Sequence, residues 1–154
     1  MKNKLLILIL SSFIISGVCT AQTAATEQGF DDIEDLPGWI FSNQSSPLGD
    51  SNWLQGAGVA TIMLSQDGEP NSFIAANHRN TGGDTENSGT ICNYLIMPEL
   101  GELESVSFYT RSRFASNNLN IYPDRLYMVY SPTGAINPGN CTDDFGDFSE
   151  TLLV

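Results

Sequence analysis

The chain has 154 residues, room for one domain with its own core, and its 41% hydrophobic content excludes disorder as the general state. Eighteen Asp and Glu against six Lys and Arg give a formal net charge of −12. A surface of that sign repels nucleic acid and anionic lipid, so neither is an expected partner.

Residues Met1 to Ala21 read as a secretory leader. Lys2 and Lys4 form its charged start, Leu5 to Ile15 its apolar centre, and Cys19-Thr20-Ala21 the small residues that a signal peptidase reads. The apolar run falls short of the roughly 20 residues a spanning helix needs, so the mature chain is expected to begin at Gln22 with no membrane insertion. A lipoprotein reading acylates Cys19 instead, although Val18 is bulkier than the residue usual before such a cysteine. Either route places the protein outside the cell, secreted or on the cell surface. Two cysteines then remain, Cys92 and Cys141. In an oxidising compartment they could pair and close a loop of about 50 residues; their distance is not fixed by spacing, so paired and free thiols both stand.

Gln22 to Gly29 is a polar tether. Phe30-Asp31-Asp32-Ile33 is expected to carry a first strand into the core beside a charged edge, before the turn Leu36-Pro37-Gly38. Trp39-Ile40-Phe41 follows, then a loop from Asn43 to Asn52 and the cluster Trp53-Leu54-Gln55-Gly56. Ala60 to Leu64 reads as a further strand or a single helical turn.

Ser72 to Ala76 and Ile91 to Pro98 are short runs of β-branched, aliphatic and aromatic residues, expected as strands. They flank a polar insert, Asn77 to Thr90, rich in the hard oxygen donors that calcium prefers. Val106 to Arg111 and Asp124 to Ser131 alternate apolar and polar residues and predict two more strands, and Thr151 to Val154 another. No segment has a clean helical period and no solenoid repeat occurs. The expected class is all-β, with Trp39, Trp53, Phe73, Ile74, Leu95, Phe108, Leu126 and Met128 in the core. The apolar end at Val154, without turn or cap, leads to the expectation of a domain over 30–154 truncated at its C-terminal side.

Several motifs carry a family resemblance. Phe30-Asp31-Asp32, Leu36-Pro37-Gly38-Trp39, Asn43, Pro47-Leu48-Gly49, Trp53-Leu54-Gln55-Gly56, Asn71 to Asn77, Ile91 to Ile96, Ser107 to Arg111 and Tyr122 to Leu126 resemble, in order, the choice-of-anchor J domain. That domain is related to the cleaved-adhesin domains of bacterial surface proteins. The resemblance implies an antiparallel jelly-roll sandwich of the MAM type and an adhesin-like module, often calcium-binding and without catalysis, with protein or glycan as partner. Family members often continue into a C-terminal sorting segment, which this sequence does not show.

For the metal, the resemblance and the ligand chemistry together point to Asp31 or Asp32, helped by Asn77, Asp124 and backbone carbonyls. Adjacent carboxylates on a strand face opposite ways, so one of the pair suffices. Solvated acids for Asp31 and Asp32, a turn former for Asn77, and an ion pair or turn cap for Asp124 are the competing roles. Trp39 and Trp53 sit among apolar neighbours and suit a core better than a sugar platform; Tyr122 and Tyr127 are better placed for exposed contact. His78 is the single histidine, too few for a zinc triad, and a Ser–His–acid triad would place it in a loop. The alternative function is a secreted hydrolase of glycosidase type, or an accessory domain of one, working through paired carboxylates.

Overall fold

The computed structural model describes residues 26–58, 63–82, 89–101, 103–112 and 125–153. The leader with its cleavage site and Cys19, the centre of the polar insert, and Tyr122, Asp124 and Val154 lie outside the described residues.

Six short strands and one 3-10 turn, with no α-helix, make up the regular structure of the described residues. The strands are Ile40–Asn43 (β1), Leu54–Gln55 (β2), Ile74–Ala75 (β3), Asn93–Ile96 (β4), Met128–Tyr130 (β5) and Glu150–Leu153 (β6). They pair as three antiparallel two-stranded sheets, β1 with β4, β2 with β3, and β5 with β6. The class is all-β, as the period-two runs predict.

β1 and β4 form the central pair, with Ile40 opposite Ile96, Ser42 opposite Tyr94 and Asn43 opposite Asn93. Alternation along β4 buries Tyr94 and Ile96 on one face. The ladder runs on beyond the strands through Gln44 N–H to Cys92 O at 2.7 Å and a reciprocal Ser46–Thr90 pair at 2.8 and 3.0 Å. Between these, the Ser45 hydroxyl accepts the Cys92 N–H at 2.9 Å.

Cys92, Tyr94, Ile96 and Phe148 form the buried cluster, with Val129, Cys141 and Phe145 packed against it. The C-terminal ribbon is thereby joined to β4. Tyr94 stacks on Phe148 with ring centroids 5.8 Å apart, and Cys92 and Cys141 are joined by a disulfide with Cα atoms 5.7 Å apart. The β2–β3 pair is tied on by the Trp53 indole, whose Nε1 donates to Tyr94 O at 2.9 Å. Gly56 is required here, because a Cβ at that position would run into the Phe73 ring.

The structure corrects four expectations. Phe30 to Ile33 is a turn, not a strand: Phe30 takes a φ of 55° and lays its ring edge-on to Trp39, centroids 5.2 Å apart. Residues Val106 to Arg111 keep their alternating pattern but pair with no strand among the described residues, and both faces stay open. Phe108 and Leu126 are accordingly exposed, at 46% and 42%, and not core. Trp39, Trp53, Phe73, Ile74, Leu95 and Met128 are half-buried; the cluster that excludes solvent is built on Tyr94, Ile96, Cys92 and Phe148, with Leu36 buried apart from it.

Candidate functional site

Two polar constellations stand out. The first gathers around Gln55, on the short strand β2. Its Nε2 donates to Phe30 O at 2.9 Å, Asn71 O at 2.6 Å and Phe73 O at 3.3 Å, while its Oε1 accepts the Ile33 N–H at 2.7 Å. One side chain thus clamps the Phe30 turn to the strand entering β3. The left-handed backbone at Phe30, uncommon for a bulky residue, aims that carbonyl inward and is held by this contact.

The two adjacent acids diverge at this turn. The Asp31 carboxylate accepts a hydrogen bond from the buried Ser72 hydroxyl across the junction. Asp32 serves the turn itself: its Oδ1 accepts the Glu34 N–H at 2.9 Å and its carbonyl the Asp35 N–H at 3.2 Å. Asn77 is committed elsewhere, capping the 3-10 turn His78–Asn80 with its Oδ1 on the Arg79 N–H at 2.8 Å. Of the expected metal ligands, only Asp31 lies against a second chain segment through its side chain; Asp124 lies outside the described residues. No group of three or more His, Cys, Asp or Glu side chains converges among the described residues. An oxygen site here would draw on Asp31, the Ser72 hydroxyl and the Phe30 and Asn71 carbonyls, the hard donors suited to calcium.

The second constellation is an open concavity of about 490 Å³ lined by Asp50, Ser51, His78, Arg79, Thr81 and Gly82. Its two walls, the loop before β2 and the 3-10 turn, are cross-linked by an asparagine frame. Asn43 Nδ2 donates to both Ser51 O and Asn80 O at 2.7 Å, Asn80 Nδ2 donates to Asn52 O at 2.6 Å, and Gly49 N–H donates to Asn80 O at 3.0 Å. Asn80 also receives the Asn77 N–H on its Oδ1 at 2.5 Å and is fully buried. Further out, Pro47 O accepts from Gly82 N–H at 2.9 Å and from the Thr81 hydroxyl at 3.0 Å. Gly49 permits this approach, since a Cβ there would strike the Arg79 and Asn80 backbone.

On this frame His78, Arg79 and Asp50 are exposed. Among the described residues neither the His78 ring, the Arg79 guanidinium nor the Asp50 carboxylate has a hydrogen-bonding or ionic partner. The Ser51 hydroxyl at the wall is out of solvent and also has none.

The chain matches no protein-family model, no curated protein and no solved structure.

In the sequence Gln55, Asn43 and Asn80 have no site role, Gln55 and Asn43 entering only as residues of the family resemblance, because polar residues in or beside loops read as surface. The one signal for Gln55 is a lone amide behind Trp53-Leu54, where an inward-facing position requires a partner for every polar atom.

Proposed function

We propose that this chain is a secreted or cell-surface, non-catalytic binding module of the adhesin type that recognises extracellular protein or glycan. The observation that carries the reading is the asparagine frame: the half-buried Asn43 and fully buried Asn80 carboxamides, hydrogen-bonded to backbone carbonyls, tie two loops together around an open concavity whose charged side chains are uncommitted. A rigid scaffold presenting free polar groups is what recognition needs, because ligand binding then costs little ordering of the protein. The sequence resemblance to choice-of-anchor J and cleaved-adhesin domains supports the same reading, and with it a jelly-roll sandwich into which the three strand pairs would assemble.

Calcium is the proposed structural cofactor, held at Asp31 with Ser72 and the neighbouring carbonyls. Its role there is to lock the Phe30 turn onto the strand entering β3. The protein would leave the cytoplasm through the leader over 1–21.

Screening the purified mature protein on immobilised glycans and extracellular proteins, beside a panel of chromogenic glycosides, tests the reading. Saturable binding without turnover is expected. Glycoside turnover abolished by one carboxylate substitution would replace it with a hydrolase.

A further inference from the structure

We propose that the Asp50–Arg79 concavity is a subsite for a sugar carrying a single carboxylate, such as a uronic acid unit of an extracellular polysaccharide. The proposal rests on the binding-module reading and names the ligand class for it. The first support is the state of the cations. Arg111 donates to Leu64 O at 2.9 Å and Arg125 to the Tyr127 hydroxyl at 3.4 Å, whereas the Arg79 guanidinium is uncommitted among the described residues. It stands at the concavity beside the His78 ring. A planar guanidinium offers a carboxylate two parallel hydrogen bonds, a stronger and more directional contact than a neutral pair.

The second support is the remaining lining. Asp50 accepts from hydroxyls, and Ser51, whose hydroxyl is out of solvent without a partner, belongs to the same lining. Donors and acceptors side by side, with no apolar anchor among the lining residues, suit a polyhydroxylated ring better than a peptide, which relies on buried apolar or aromatic contacts. The volume of about 490 Å³ falls within the ordinary range for small-molecule sites.

The third is the field of the whole chain. A net charge of −12 repels a long polyanion, so the favoured ligand is a short acidic oligosaccharide that places one ring's carboxylate opposite Arg79. The asparagine frame ties the backbone of both walls in advance, which leaves the exposed side chains as the main groups to be ordered on binding.

The test uses the whole mature protein, trigalacturonate as probe, its fully methyl-esterified form as the uncharged control, and acidic peptides and neutral glycans as comparators, all by calorimetry. Trigalacturonate is expected to bind about tenfold or more tighter than its ester. Arg79→Ala should remove that preference, and Arg79→Lys, which keeps the charge and loses the fork, should restore part of it. Both variants should melt with the wild type, because the side chain is exposed and uncommitted. Equal affinity for acid and ester overturns the proposal. So does trigalacturonate binding that Arg79→Ala leaves intact, or binding confined to acidic peptides. Binding of a neutral glycan alone, indifferent to Arg79→Ala, overturns it while the binding-module reading stands; no binding to any probe or to the immobilised panel takes down both.

Discussion

Asn43 reaches across 37 residues of sequence to Asn80, its Nδ2 donating to the Asn80 carbonyl at 2.7 Å. That contact joins the last residue of β1 to the 3-10 turn that carries His78 and Arg79. It does so without help from an apolar core: Asn80 itself is the fully buried side chain of the neighbourhood. Specificity of the loop arrangement therefore rests on carboxamide-to-carbonyl hydrogen bonds, from Asn43 Nδ2 to Ser51 O and Asn80 O and from Asn80 Nδ2 to Asn52 O.

Asn80→Asp tests this frame. The substitution keeps shape and the acceptor facing Asn77 N–H, but puts a carboxylate oxygen where Nδ2 now donates to Asn52 O. The lost donor and the buried repulsion should cost about 2–3 kcal/mol, read as a lowered midpoint in urea. An unchanged midpoint would mean that the frame is not what fixes the two loops.

Four of the six strands, β3 to β6, fall in or overlap runs that read as strands in the sequence, and the assembly was much less legible. β4 lies within the run Ile91 to Pro98, where alternation buries one face, whereas β1 overlaps the apolar cluster Trp39 to Phe41 and runs on into Asn43, which reads as the start of a loop. Val106 to Arg111 carries an equally good alternation and forms no strand, since the period tells which faces a strand would have but not whether a neighbour is there to pair with it. At the Phe30 junction, chemistry and resemblance together point to both Asp31 and Asp32 as candidate ligands, and only the Asp31 carboxylate meets a second chain segment. Nothing points to Gln55, Asn43 and Asn80 in this way, because a hydrogen bond between residues 22 to 37 apart leaves no local pattern.

Calcium should raise the melting point through Asp31. A ligand that binds only the folded state adds about 2.7 kcal/mol at 100 times its dissociation constant, a shift of several degrees at roughly 2–4 °C per kcal/mol. Asp31→Ala should abolish the difference between calcium and chelator, whereas Asp32→Ala, which removes only the Glu34 turn contact, should keep it. A shift that survives Asp31→Ala moves the metal elsewhere; identical melting points with calcium and chelator remove it.

Gln55 offers an independent measure of the same junction. Gln55→Leu retains bulk but strands the Ile33 N–H and leaves the Phe30 and Asn71 carbonyls without their shared donor. The expected loss is about 2 kcal/mol, together with faster amide exchange at Ile33. Exchange unaltered at Ile33 would show that the clamp is not formed in solution.

The disulfide is expected to dominate stability. Cys92 and Cys141 are separated by 49 positions, and closing a loop of that size restricts the unfolded chain by about 4 kcal/mol in the chain-entropy model. Replacing both cysteines by alanine should lower the urea midpoint accordingly. A drop below about 1 kcal/mol would place the stabilisation of β4 against the C-terminal ribbon in the Tyr94–Phe148 packing instead.

Tyr94 makes stability depend on alkaline pH. Its side chain is buried, and the hydroxyl has no well-formed hydrogen bond. Burial pushes the phenol pKa up from 10.0; the Gly139 backbone N–H opposes the rise and the Asp144 carboxylate adds to it. The unfolded chain therefore loses this proton first as pH rises. Below about pH 10 both states hold the proton and the full stability is present. Above it, only the unfolded state gains by ionising, so stability falls until the folded phenol also titrates. Tyr94→Phe removes the effect and gives up only the weak Gly139 N–H contact, so at neutral pH it should change stability little. Melting the wild type and Tyr94→Phe between pH 8 and about 11 separates the outcomes. The two curves should coincide at the low end and diverge above pH 10, with the wild type the less stable; parallel curves would mean that the Tyr94 hydroxyl is solvated in the folded protein.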